Sequence, residues 1–162
     1  MAKTSLTLRK RGDSFVVDGG RSPAAALKFG RGMQTGTITV DGRALPIAAH
    51  GPMRTGATLG GDEPVLRLDG HGAFVPPRMA PVEWRYSRPR RGRYHAALVR
   101  GSDVIDFSVT RFSGKAVEIT VGGDWDQLEL VVLAGSFALL SRRRGDAYRT
   151  MTIVGAIGPH AR

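Results

Sequence analysis

The stretch "GGDWDQLELVVLAGSFALLSRRRG", residues 122–145, decides the fold. Asp124 followed three residues later by Gln127 has the capping-box spacing of a helix start. Arg142, Arg143 and Arg144 sit where cations favour the negative end of a helix dipole, and Gly145 suits the position just past a helix end. The expected helix therefore runs from about Trp125 to Arg143. Its apolar residues cover the whole circumference, and Glu129 is the inner charge. A helix apolar all round belongs inside a protein core or a membrane. Spanning a bilayer takes about 20 apolar residues, and Leu128 to Leu140 supplies roughly 13. A helix lying on a membrane surface needs a polar face, which this one lacks. What remains is a helix surrounded by strands.

The preceding residues read as those strands. Gly12-Asp13 separates a basic run from "SFVV", and Asp41-Gly42 separates "TITV" from "RALPI". Asp-Gly between β-branched runs is a strong hairpin signal, because both central residues of a type I′ turn need positive φ. The device recurs at Asp69-Gly70, and further turns fall at Gly101-Ser102 and Ser113-Gly114. Ile105, Phe107 and Val109 alternate onto one face, as do Val117, Ile119 and Val121. "GTITVDG" and "VEITVGG" echo one another, each after a turn and an aromatic, Phe29 or Phe112. The proline-rich segment from Val75 to Gly92 reads as a long crossing or loop, with Val82–Tyr86 as an edge strand. At about 10 residues per strand and turn, the chain ahead of the helix holds about a dozen strands, and cans of about that size enclose a central helix. A helix of about 25 Å matches the height of such a barrel. The expected fold is mainly β: a closed antiparallel β-barrel of about 12 strands enclosing an apolar C-terminal α-helix. Residues 1–150 form this single domain, and 151–162 add a short strand, over Thr150–Val154, or a tail.

At this point the chain resembles the tubby C-terminal-like superfamily, shared with LURP-one-related proteins and phospholipid scramblases. The resemblance rests on the hairpins, on "ITVDG" and "VLRLDG", and on the closing "DWDQLELVVLAGSFALLSRRRGD". It covers roughly residues 3–150 and is nearest to small bacterial members whose last helix also ends in arginines. The calcium-site and palmitoylated-cysteine features of scramblases are missing, so lipid scrambling is not implied. A peripheral module for phosphoinositide or similar anionic headgroups is.

Composition narrows the function further. The chain has 162 residues, a formal net charge of +10 and no cysteine. Thiol chemistry, disulfide scaffolds and cysteine zinc sites are thereby excluded. Excess positive charge points to an anionic partner, while the preference for arginine over lysine is also the mark of a GC-rich genome. The start, "MAKTSLTLRKRGD", lacks the apolar run of a secretory signal. The expected location is the cytoplasm, peripheral at the inner membrane surface.

No catalytic constellation emerges. His50, His71, His95 and His160 have no metal-ligand spacing. "GRGMQTG" is followed by a strand and lacks the closing Lys-Ser/Thr of a phosphate loop. Ser136 falls within a buried helix, outside any nucleophile elbow. The expectation is a non-enzymatic protein with no cofactor and no metal. The candidate anion-binding residues are Arg78, Arg85, Arg88, Arg90, Arg91 and Arg93, interleaved with Trp84, Tyr86 and Tyr94. Arginines among aromatics suit a membrane-interface patch or a single-stranded nucleic-acid platform. Arg142, Arg143, Arg144 and Arg149 form a second basic patch. The partner classes are therefore an anionic lipid surface, nucleic acid, or a protein docked along a barrel edge.

Overall fold

The computed structural model describes residues 3–18, 25–51, 53–62, 64–69, 73–74 and 82–157; for 73, 74, 88 and 148–157 it describes the backbone alone. Among the described residues, twelve strands form one antiparallel sheet. The first eight are β1 (Thr4–Arg11), β2 (Ser14–Asp18), β3 (Ala26–Phe29), β4 (Thr35–Val40), β5 (Arg43–His50), β6 (Gly56–Leu59), β7 (Leu66–Leu68) and β8 (Ala73–Phe74). After them come β9 (Glu83–Arg90), β10 (Arg93–Arg100), β11 (Asp103–Thr110) and β12 (Ala116–Gly122), then the helix α1 (Leu128–Ile157).

Strands β1 to β8 each pair with the next in sequence, as do β9 to β12, and β1 also pairs with β12, with Leu6 opposite Ile119. The sheet curls into a nearly closed barrel. Its two edges, β8 and β9, are not paired with each other among the described residues, so the expected closure is incomplete at this seam. Closing a sheet around a core is how an antiparallel protein removes its exposed edges.

Strand alternation turns one side chain in two inward. Leu6 and Leu8 on β1, Ile105, Phe107 and Val109 on β11, and Val117, Ile119 and Val121 on β12 are all buried. The Asp41-Gly42 turn has the foreseen geometry, φ 52° and 77°. Every residue of α1 from Leu130 to Ser141 is buried, as expected for a helix enclosed by strands. Gly135 gives the closest approach. A Cβ there would lie 2.3 Å from the Phe107 ring, so only glycine lets β11 press its aromatic against the helix. Trp84 meets the same ring edge-on at 5.8 Å.

Both expected helix boundaries move. The helix begins at Leu128, because Gln127 takes φ 51° and only its carbonyl enters the helix, accepting from Val131 N–H at 3.1 Å. Trp125 is drawn into the core instead, with its indole N–H donating to the Gly122 carbonyl at 3.0 Å. Gly145 does not end the helix. The Arg54 side chain packs 3.2 Å from where a Gly145 Cβ would stand, and the helix continues through Ile157. Thr150–Val154 is therefore helical, not a strand.

The proline-rich segment is also more regular than expected. Residues 75–81 lie outside the described part, but β9 is a full eight-residue strand that turns at Arg91-Gly92 into β10. Pro89 is tolerated because β9 is an edge strand and the register slips by a bulge beside it.

A basic barrel end as candidate binding surface

An up-and-down barrel brings every second connection to the same end. One end carries the β1–β2 turn, the residues 30–34 that follow β3, the β5–β6 loop, the β9–β10 turn and the β11–β12 loop. Helix α1 starts at the opposite end and arrives here with Arg142, Arg143 and Arg144. This end therefore gathers Lys10, Arg31, Arg90, Arg91, Arg111 and Lys115, all exposed and none in an ion pair among the described residues. At the far end acids outnumber cations: Asp41, Asp62, Asp103, Asp124, Asp126 and Glu129 stand there with Lys3, Arg43 and Arg100. The barrel is thus electrically polar along its axis, and such a field orients a protein before contact.

The expected arginine–aromatic patch divides. Trp84 and Tyr94 face the interior and are buried, so neither offers a ring to stack on a base. Tyr86 also points inward, with the Arg142 guanidinium 3.5 Å above its ring. Arg85 lies outside, paired with Glu83 at 2.9 Å. Arg93 is also outward, donating to Ser108 Oγ at 2.7 Å and paired with Glu118 at 2.9 Å. Arg90, Arg91 and Arg93 do come together with Ser87 and His95, around a shallow surface groove of 600 Å³. Arg78 lies outside the described residues, and of Arg88 and Arg149 the backbone alone is described, in β9 and α1.

Within the second basic patch, Arg143 anchors the helix end. Arg143 donates from Nε to the Thr110 carbonyl at 3.0 Å and from Nη2 to the Arg111 carbonyl at 2.9 Å, tying the helix to the β11–β12 loop. Burial pulls its pKa below the usual guanidinium value, though it stays charged at neutral pH. Arg54 does the same on the other side, donating to the Gly32 carbonyl at 2.8 Å and the Ser141 carbonyl at 3.2 Å.

Sequence reasoning missed the most telling residue. Phe112, in the β11–β12 loop, is 90% exposed, whereas its apparent counterpart Phe29 is stacked on Phe137 at 5.2 Å. Its ring lies beside the β9–β10 turn, 3.6 Å from where a Gly92 Cβ would be. Phe112 thus stands in water at the barrel end that carries Arg91, Arg111 and Lys115. The signal was available in principle: Phe112 falls in a turn, after the last inward residue of β11.

Burial pushes the Tyr86 hydroxyl up to about 12, with Asp146 acting in the same direction. Arg142, over the ring, pulls in the opposite direction, but the hydroxyl has no partner of good hydrogen-bond geometry among the described residues. The unfolded tyrosine ionises near pH 10, so the folded state alone keeps its proton between pH 10 and about 12. Its contribution is complete below pH 10 and is lost as pH rises towards 12. Tyr86→Phe is expected to match or exceed wild-type stability at pH 7, since an unpaired hydroxyl disappears. The variant should also show a flatter decline of Tm above pH 10. Parallel declines for the two proteins would contradict the buried placement.

Compared with family models, curated proteins and solved structures, the chain matches none. Function rests on the geometry. No helix among the described residues is long and apolar enough to cross a membrane.

Proposed function

We propose that this protein is a non-enzymatic binding module that docks its basic barrel end on an anionic phospholipid surface. The observation that carries the reading is Phe112, an exposed aromatic in a loop at the barrel end whose exposed cations have no ion pair among the described residues. Each Lys or Arg near an anionic leaflet contributes about 1 kcal/mol. A phenylalanine entering the headgroup–acyl boundary adds about 2 kcal/mol through the area it removes from water. The two contributions need the same face of the protein, and here they share it. The tubby-like resemblance of the sequence points the same way. A nucleic-acid platform is favoured less, because the aromatics that would stack on bases face the core.

Co-sedimentation with vesicles of phosphatidylglycerol and phosphatidylcholine, against phosphatidylcholine alone, tests the reading beside a gel shift with single-stranded RNA and DNA. Retention on the anionic vesicles alone, weakening but persisting at about 0.15 M salt, is the expected result. Gel shifts without vesicle binding would overturn it. Binding to every polyanion that vanishes at that salt would reduce it to charge alone.

A further inference from the structure

The mouth of the barrel at this end contains a recess of 470 Å³ between the β1–β2 turn, the residues following β3, the β11–β12 loop and helix α1. Its size falls within the range of small-ligand sites. Its floor is apolar: Phe15 meets Phe29 edge-on at 5.6 Å, Phe29 stacks on Phe137, and Met33 packs beside them. Its rim is cationic, built from Lys10, Lys115 and Arg143. The backbone under the rim is tied together, and Arg143 is held. The Lys10 N–H donates to the Lys115 carbonyl at 2.8 Å, and the Thr110 and Arg111 carbonyls hold the Arg143 guanidinium.

Arg143 keeps Nη1 outside those two bonds. Gly114 makes room for it, since a Cβ at that position would stand 2.9 Å from Nη1. The carboxylate lining the recess, Asp13, is bonded to Lys28 at 3.2 Å, and this contact holds its carboxyl below the usual range. Asp13 is thus already paired, leaving the three rim cations to face the opening. Charge on the rim and aromatics beneath are the two halves of an amphiphile's complement.

We infer that this recess binds one single-chain amphiphilic anion, its chain against Phe15, Phe29 and Met33 and its headgroup on Lys10, Lys115 and Arg143. The site goes beyond surface docking, although it shares Lys10 and Lys115 with that reading. A headgroup carboxylate and a headgroup phosphate present the same chemistry to the rim.

Titration calorimetry with decanoate and decyl phosphate, each below its micelle concentration, tests the inference, with decanol and inorganic phosphate as the chain-only and charge-only arms. Saturable binding at one site is expected for an amphiphilic anion, about tenfold or more tighter than for either partial probe. The tighter of the two anions identifies the headgroup. Gly114→Val, which displaces the Arg143 guanidinium, and Lys115→Glu, at an exposed position, should each weaken binding about tenfold. Circular dichroism checks that both variants remain folded. Equal binding of decanol or inorganic phosphate, or unchanged affinity in both folded variants, would overturn the site. Anionic vesicles that sediment the protein while the decyl probes fail to saturate would sink this inference and leave surface docking intact. Saturable probe binding without vesicle binding would do the reverse.

Discussion

Replacing Phe112 with aspartate is expected to abolish sedimentation with anionic vesicles while leaving the fold unchanged. The side chain is 90% exposed, so the substitution removes almost no burial from the folded state. Surface changes of this kind usually alter stability by less than about 0.5 kcal/mol. The membrane-bound state loses far more. Withdrawing the ring from the interface costs about 2 kcal/mol, and placing a carboxylate against an anionic leaflet removes about 1 kcal/mol of attraction. Together these reduce partitioning by about a hundredfold, at 1.4 kcal/mol per decade. Phe112→Trp should retain binding and shift its emission to the blue on contact with vesicles. An aspartate variant that is folded and sediments like wild type would place the membrane contact elsewhere. Reversing both turn arginines, Arg90 and Arg91, should instead weaken binding in a salt-dependent manner, because their contribution is Coulombic and screened.

The largest expected loss of stability follows Leu133→Asp. Leu133 is fully buried at the middle of the enclosed helix. Truncating such a leucine costs about 2–5 kcal/mol, and leaving an uncompensated charge in the core costs about 3–5 kcal/mol more. A domain of ordinary stability, about 5–15 kcal/mol, does not withstand that sum. The variant should accumulate as insoluble protein without a cooperative melting transition. Ala147→Asp lies on the same helix where it is exposed, and it should stay soluble and melt near the wild-type temperature. A soluble Leu133→Asp variant with the wild-type circular dichroism spectrum would show that the strands do not enclose this helix.

Much of this architecture is legible in local patterns. Strand alternation is a consequence of pleat geometry and survives any tertiary context, which is why Ile105, Phe107, Val109, Val117, Ile119 and Val121 could be assigned to one interior. The Asp41-Gly42 turn depends on backbone φ alone and formed as its residues demand. The helix boundaries were less legible, because long-range contacts override capping preferences. Trp125 follows its apolar surface into the core and leaves Asp124 outside the helix, and Arg54 packs where Gly145 would otherwise turn the chain.

The candidate site was legible in kind but not in place. Arginines and aromatics between residues 84 and 94 look like one surface when read along the chain. Alternation sends Trp84, Tyr86 and Tyr94 inward and Arg85 and Arg93 outward to carboxylates, leaving Arg90 and Arg91 at the turn with no ion pair among the described residues. By itself the sequence determined the strand faces, the tight turns and a helix too apolar for any surface, because each depends on neighbours a few residues apart. Tertiary structure alone decided that Lys10, Arg31, Arg91, Arg111, Phe112 and Lys115 share one end of the barrel and Asp41, Asp62, Asp103, Asp124, Asp126 and Glu129 the other. The pairing of β1 with β12 and the alternation of strand direction bring together residues about a hundred positions apart, and no local pattern of residues encodes that meeting.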